Sequence, residues 1–133
     1  MNIFNLLKEA VNLGSSDIHI TTDSSPMARI KGKFIKLSDI ILTKEDTKEM
    51  VEEIAGEDRF KIVESIGELD FSASLEDRTR FRVNAYKQKG DYALAIRTIN
   101  AKVPKFDELH LPETLKAFTE KYKGLVLCIF LWK

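Results

Sequence analysis

Arg80 and Arg82, two positions apart, and Arg97 further along are the residues of this chain best suited to chemistry. An arginine guanidinium is a planar fork of donors that can take two oxygens of a phosphate or carboxylate at once. Whether the three act together depends on the strands that carry them. Side chains alternate between the two faces of a strand. In residues 80–86, Phe81, Val83 and Ala85 form an apolar side, and Arg80, Arg82, Asn84 and Tyr86 form the other. In residues 91–99 the apolar set is Tyr92, Leu94 and Ile96, which leaves Ala93, Ala95 and Arg97 on the polar side.

Pairing these strands across a loop at 87–90 sets Phe81 opposite Ile96, Val83 opposite Leu94 and Ala85 opposite Tyr92. Arg80 then opposes Arg97, and Arg82 opposes Ala95. A strand at 68–76, joined by a loop at 77–79, adds Leu75 beside Phe81, Glu76 beside Arg80 and Ser74 beside Arg82. Like charges directly opposed in a sheet are destabilising. In this register only Glu76 is placed to neutralise the arginines, while Ala93 and Ala95 leave open space beside them. Two readings follow: a bound anion such as phosphate relieves the repulsion, or the arginines extend into water that screens them.

Other chemistry is sparse. His19, His110 and Cys128 are too few and too scattered for a metal cluster. His19 shares a face with Asp17, which suggests a local hydrogen bond. Neither G-x-G-x-x-G nor G-x-x-x-x-G-K-[ST] occurs. Glu52-Glu53 reads as a solvated helix face, and Glu68 and Asp70 as polar strand positions.

The surrounding elements follow from periodicity. Ile3, Leu6, Leu7, Ala10 and Val11 share one helical face, and Gly14 ends that helix. Ser15-Ser16-Asp17 reads as a turn into a short strand, Ile18 to Thr21. Residues 27–37 read as two strands joined near Gly32-Lys33. Thr43 caps a helix whose first turn holds Glu45 and Asp46 and whose buried face is Met50, Val51, Ile54 and Ala55. A shorter helix around Phe60, Ile62, Val63 and Ile66 ends at Gly67, before the three-strand meander. Residues 101–111 read as a linker. Pro112, suited to a first helical turn, opens a helix to Lys123, and the apolar run Leu125 to Trp132 reads as a strand. The fold class expected is α+β, a mostly antiparallel sheet flanked by helices.

Composition narrows the function. Lys plus Arg and Asp plus Glu are both 21 in 133 residues, so the net charge is zero. That argues against a chain built mainly to hold nucleic acid or an anionic membrane. A single cysteine rules out an intrachain disulfide and suits a reducing compartment. The N-terminus lacks the basic and long apolar regions of a signal peptide, and the run 125–132 is far shorter than a bilayer span. The expectation is a cytoplasmic protein with no direct membrane insertion.

Five segments then resemble one family in order. Ser16-Asp17-Ile18-His19-Ile20 with Pro26-Met27-Ala28-Arg29-Ile30-Lys31-Gly32 is similar to the opening of twitching-motility, PilT-type secretion ATPases. Glu68-Leu69-Asp70-Phe71-Ser72 resembles a strand of theirs. So does the block Arg80-Phe81-Arg82-Val83-Asn84-Ala85-Tyr86, with Ala95-Ile96-Arg97-Thr98-Ile99. Lys123-Gly124-Leu125-Val126-Leu127 is similar to the strand that leads into their Walker A loop.

The resemblance implies a PAS-like N-terminal domain at 1–100 and a linker at 101–111. Residues 112–133 would be the first helix and strand of a RecA-like ATPase domain. It further implies a hexameric ring that binds ATP and Mg²⁺ and drives pilus retraction. In that ring Arg82 and Arg97, with Arg80 as a third candidate, approach the γ-phosphate. After Leu127 this chain reads Cys128-Ile129-Phe130-Leu131-Trp132-Lys133 where a phosphate-binding loop is expected. The expectation is therefore a truncated motor part that binds no nucleotide alone, is no enzyme, and partners other copies or intact ATPase subunits. A stand-alone PAS-like module binding a small molecule or a protein, and a remnant without function, are the competing readings.

Overall fold

The computed structural model describes residues 2–99, 105–127 and 129, in two compact units, 1–101 and 102–133. In the first, helix α1 (Ile3–Asn12) precedes strands β1 (Ser15–Ile20), β2 (Met27–Ile30) and β3 (Lys33–Lys36). Helices α2 (Lys44–Ala55) and α3 (Glu57–Ile66) follow, and then β4 (Glu68–Ser74), β5 (Arg80–Gln88) and β6 (Asp91–Ile99). The six strands form one antiparallel sheet in the order β3-β2-β1-β6-β5-β4. The α+β class read from the sequence is the class observed.

All three helices lie against one face of this sheet. Ile3, Leu6 and Leu7 from α1, Met50 and Val51 from α2, and Phe60 and Val63 from α3 share a core with Ile18, Ile20, Phe81, Val83, Leu94 and Ile96. Within this unit no described helix lies on the opposite face, which carries the polar alternates of the same strands. Burial of the apolar alternates is the main driving force, and it fixes which side each arginine takes.

Local signals set the helix ends. Thr43 and Asp46 form a reciprocal capping box at the start of α2. The Thr43 amide donates to Asp46 Oδ2 at 2.8 Å, and the Asp46 amide donates to Thr43 Oγ1 at 3.1 Å. Gly67 closes α3 with a φ of 98°, a conformation costly for any residue with a Cβ. Glu52 and Glu53 are exposed on α2 as read, and the Glu53 carboxylate also accepts the Ile3 amide at 3.0 Å and the Asn2 side chain, tying α1 to α2.

The strand registers correct the sequence reading in detail. Between β5 and β6 the pairing lies two residues from the one expected, with Arg82 opposite Arg97, Val83 opposite Ile96, Ala85 opposite Leu94 and Arg80 opposite Ile99. The expected four-residue loop is a two-residue turn, Lys89-Gly90, with φ of 54° and 91°. Positive φ at both central residues is the tight hairpin geometry that matches strand twist. Between β4 and β5 the loop is longer than expected, 75–79, so Ser74 opposes Arg80 and Ser72 opposes Arg82. Asp77 accepts the Thr79 amide at 2.9 Å within that loop, and Glu76 lies in the turn rather than opposite Arg80. Strand β1 starts at Ser15, where a turn was expected, and is bulged at Ser16.

In the second unit the helix expected from Pro112 to Lys123 is reduced to a 3₁₀ turn, Glu113–Leu115, and one α turn, Lys116–Thr119. The linker region holds another 3₁₀ turn, Phe106–Leu109, and its start at 101–104 lies outside the described residues. Lys116 binds Asp107 and Glu113, each at 3.0 Å. Of the strand expected at 125–132, Leu125, Val126, Leu127 and Ile129 are exposed and unpaired in any strand, and the rest lies outside the described residues.

Phe81, fully buried between helices and sheet, is the stringent test of this core. Phe81→Ala is expected to cost about 3–5 kcal/mol, against about 1 kcal/mol for removing the cap with Thr43→Ala. Urea unfolding of both variants checks the ranking; equal losses would contradict it.

Candidate functional site

A single rung of paired residues crosses the whole open face. Phe34 on β3 pairs with Arg29 on β2, Arg29 with Asp17 on β1, Asp17 with Arg97 on β6, Arg97 with Arg82 on β5, and Arg82 with Ser72 on β4. Three arginines and one carboxylate thus lie side by side at strand spacing. The neighbouring rung carries Met27, His19, Ala95, Asn84 and Asp70. Ala95 is small, and above it opens a shallow cleft of about 330 Å³ lined by Asp17, His19, Asp70, Arg82, Asn84, Ala95, Ile96 and Arg97.

Charge within the rung is organised by two carboxylates. Asp17 Oδ1 accepts from Arg97 Nε at 3.0 Å, and Oδ2 accepts from Ser16 Oγ at 2.9 Å. Arg29 Nε stands 3.6 Å from the same Oδ2, within ion-pair range and beyond hydrogen bonding, while its guanidinium lies 4.3 Å above the Phe34 ring. Asp70 receives Arg82 through Nε at 3.4 Å and Nη2 at 3.5 Å, a longer and more exposed pair. Desolvation pushes the Asp17 carboxyl up, but hydrogen bonds from Arg97 and Ser16, with the charges of Arg97 and Arg29, outweigh it and hold its pKa below the ordinary value.

The sequence reading placed Arg82 and Arg97 on one face, and the structure sets them directly opposite each other. Arg80 lies one rung away, between Ser74 and Ile99, and does not line the cleft. Its expected neutraliser, Glu76, is displaced into the loop, and the neutralising carboxylates are Asp17 and Asp70 instead. Sequence reasoning missed both of these and Arg29. The available signal was the motif content itself, since Asp17, Arg29 and Asp70 all stand inside segments that carried the family resemblance. His19 meets the edge of Phe34 at 5.5 Å, and the Asp17 carboxylate that was its expected partner serves Arg97, Ser16 and Arg29.

Chemically, the rung can receive an anion. Arg97 is engaged at Nε, and among the described residues neither of its outer nitrogens, Nη1 and Nη2, meets an acceptor. Arg82 is engaged along one edge, leaving Nη1. The described residues hold no group of three or more His, Cys, Asp or Glu able to bind a metal. No helix among them is long and apolar enough to cross a membrane.

Fold and site together define an α+β domain with helices on one sheet face and paired arginines on the other. The solved structure of the pilus retraction motor PilT with bound ADP superposes with a TM-score of 0.75 at 35% identity, over 91% of this chain and 36% of that one. The type IV pilus retraction ATPase PilT of Pseudomonas aeruginosa is 32% identical over 127 residues, 96% of this chain and 37% of the relative. PilU, a type IV pilus ATPase of the same organism, is 30% identical over 129 residues, 97% of this chain and 34% of the relative. No protein-family model matches the chain. By these likenesses the chain is similar to the N-terminal part of PilT-type, twitching-motility secretion ATPases. It spans about a third of the length of the curated relatives it matches.

The lowered Asp17 pKa fixes the sign of a pH effect. A carboxylate depressed in the folded state contributes stability above its unfolded pKa of about 3.9 and loses it as pH falls through the folded value. Asp17→Asn is therefore expected to be less stable than wild type at about pH 7, and the gap is expected to be smaller at about pH 3, below the unfolded value. Urea midpoints at both pH values check this; a gap independent of pH would contradict it.

Proposed function

We propose that this chain is the assembly and arginine-donating part of a type IV pilus retraction motor. In this reading Arg82 and Arg97 close over the terminal phosphate of ATP held by a separate ATPase domain. The observation that carries it is the Arg82–Arg97 pair, opposed across neighbouring strands above a cleft, with outer nitrogens left for an acceptor. Two adjacent guanidinium groups cost repulsion unless an anion shares them, and a phosphoryl group that develops charge during transfer makes the most of such donors. These likenesses support the choice of ATP, since the relatives are named as ATPases and one carries ADP.

The donor set fits phosphate oxygens and not Mg²⁺, because the carboxylates beside the cleft are taken up by arginines. Magnesium and the phosphate cradle would come from the partnering ATPase domain, in a homo-oligomeric ring working in the cytoplasm. Alone, this chain has no Walker A loop and would not turn ATP over. Arg80, outside the cleft, has the lesser part.

Two measurements test this. In an intact motor, alanine at the position aligned with Arg82 or with Arg97 is expected to slow ATP turnover by roughly 10³-fold, the lower end of the range for arginine fingers. Turnover within a few-fold of the parent would sink the assignment. The 133-residue chain with Mg-ATP should release no phosphate above a blank, and activity that follows the protein through purification would contradict its inactivity.

A further inference from the structure

The phosphate reading makes demands on Arg97 that its own strand cannot meet. An arginine has several freely rotating bonds, and a side chain as exposed as Arg97 (72%) loses much freedom when it binds. Something must hold it at an angle that leaves its fork open. Among the described residues Asp17 is the one carboxylate in register with it, on the adjoining strand, and its side chain is only 20% exposed. It meets Arg97 at Nε, the inner nitrogen, and not at the outer pair.

The neighbours of Asp17 fix its own orientation. The β1 bulge at Ser16 breaks the alternation and brings the Ser16 hydroxyl to Oδ2, so that Oδ1 is the oxygen presented to Arg97. Arg29, stacked on Phe34, adds a positive charge on the Oδ2 side without competing for Oδ1. Asp70 makes no equivalent arrangement: its contacts with Arg82 are at the limit of hydrogen bonding, between side chains that are 53% and 68% exposed. The two arginines of the pair are therefore unlike, one anchored and one loose.

We propose that Asp17, locked by the Ser16 bulge, is the positioning residue of the site, holding Arg97 by its inner nitrogen so that both outer nitrogens serve a phosphate. The proposal rests on the phosphate reading above. Asp17 does not itself touch the ligand, because two anions in contact repel.

Removing a negative charge also raises the affinity of any anion, so affinity alone cannot separate positioning from charge. A selectivity ratio can. The probes are inorganic pyrophosphate and citrate, which carry similar charge near neutral pH but differ in geometry, titrated into the 133-residue chain at matched ionic strength. Arg82→Ala and Arg97→Ala come first; if neither weakens pyrophosphate binding, the phosphate reading itself fails. If they do weaken it, Asp17→Asn is expected to reduce the preference for pyrophosphate over citrate by about tenfold, the equivalent of one charge-assisted hydrogen bond. An unchanged ratio, with both anions bound more tightly, overturns the positioning role alone. Ser16→Ala keeps every charge and is expected to lower the ratio in the same direction. Should Asp17→Asn fail to fold, the Ser16→Ala ratio decides by itself, and no change in it overturns the proposal.

Discussion

Two arginines placed directly opposite each other on neighbouring strands are a cost that the rest of this sheet is arranged to bear. Arg82 and Arg97 cannot move apart, because the residues beside them on the same strands, Val83 and Ile96, are buried in the core. The hydrophobic face thus dictates the electrostatic one. Asp17 and Asp70 flank the pair and offset part of the repulsion, yet each engages only one edge of its guanidinium. What remains is a pair of neighbouring guanidinium groups with outer nitrogens open to an acceptor. Donors that a fold brings together and leaves open are a reason to look for a ligand.

The same logic explains why the faces were legible in the sequence and the register was not. Alternation with a period of two assigns each residue to a side whatever its partner, and a slip of two residues changes partners without changing sides. Phe81, Val83 and Ala85 were therefore sorted correctly, while Arg82 was paired with Ala95 rather than Arg97. The slip came from the turn. Lys89-Gly90 makes a tight two-residue hairpin without the Asn or Asp that usually announces one. On the other side, Asp77 and the left-handed Arg78 build a loop longer than the three residues expected.

Asp17 was hidden for a different reason. It lies 80 residues from Arg97 in sequence, and nothing in a local pattern says that β1 joins β6 at the centre of the sheet. The bulge at Ser16 also disguises the start of β1 as a turn. Helix ends were easier to read, since Thr43, Asp46 and Gly67 act through neighbours within one turn. Pro112 was a poor guide by contrast: a residue that suits a first helical turn does not supply an apolar face, and the segment that follows it holds a single α turn.

The central claim is that the Arg82–Arg97 pair exists to meet a terminal phosphate. The most direct measurement is the structure of an intact motor containing this domain, with a non-hydrolysable ATP analogue bound. The account predicts outer nitrogens of both arginines within about 3 Å of terminal phosphate oxygens, with the Asp17–Arg97 contact kept. A bound nucleotide whose terminal phosphate lies more than about 6 Å from both guanidinium groups, beyond direct hydrogen bonding or one bridging water, would contradict it.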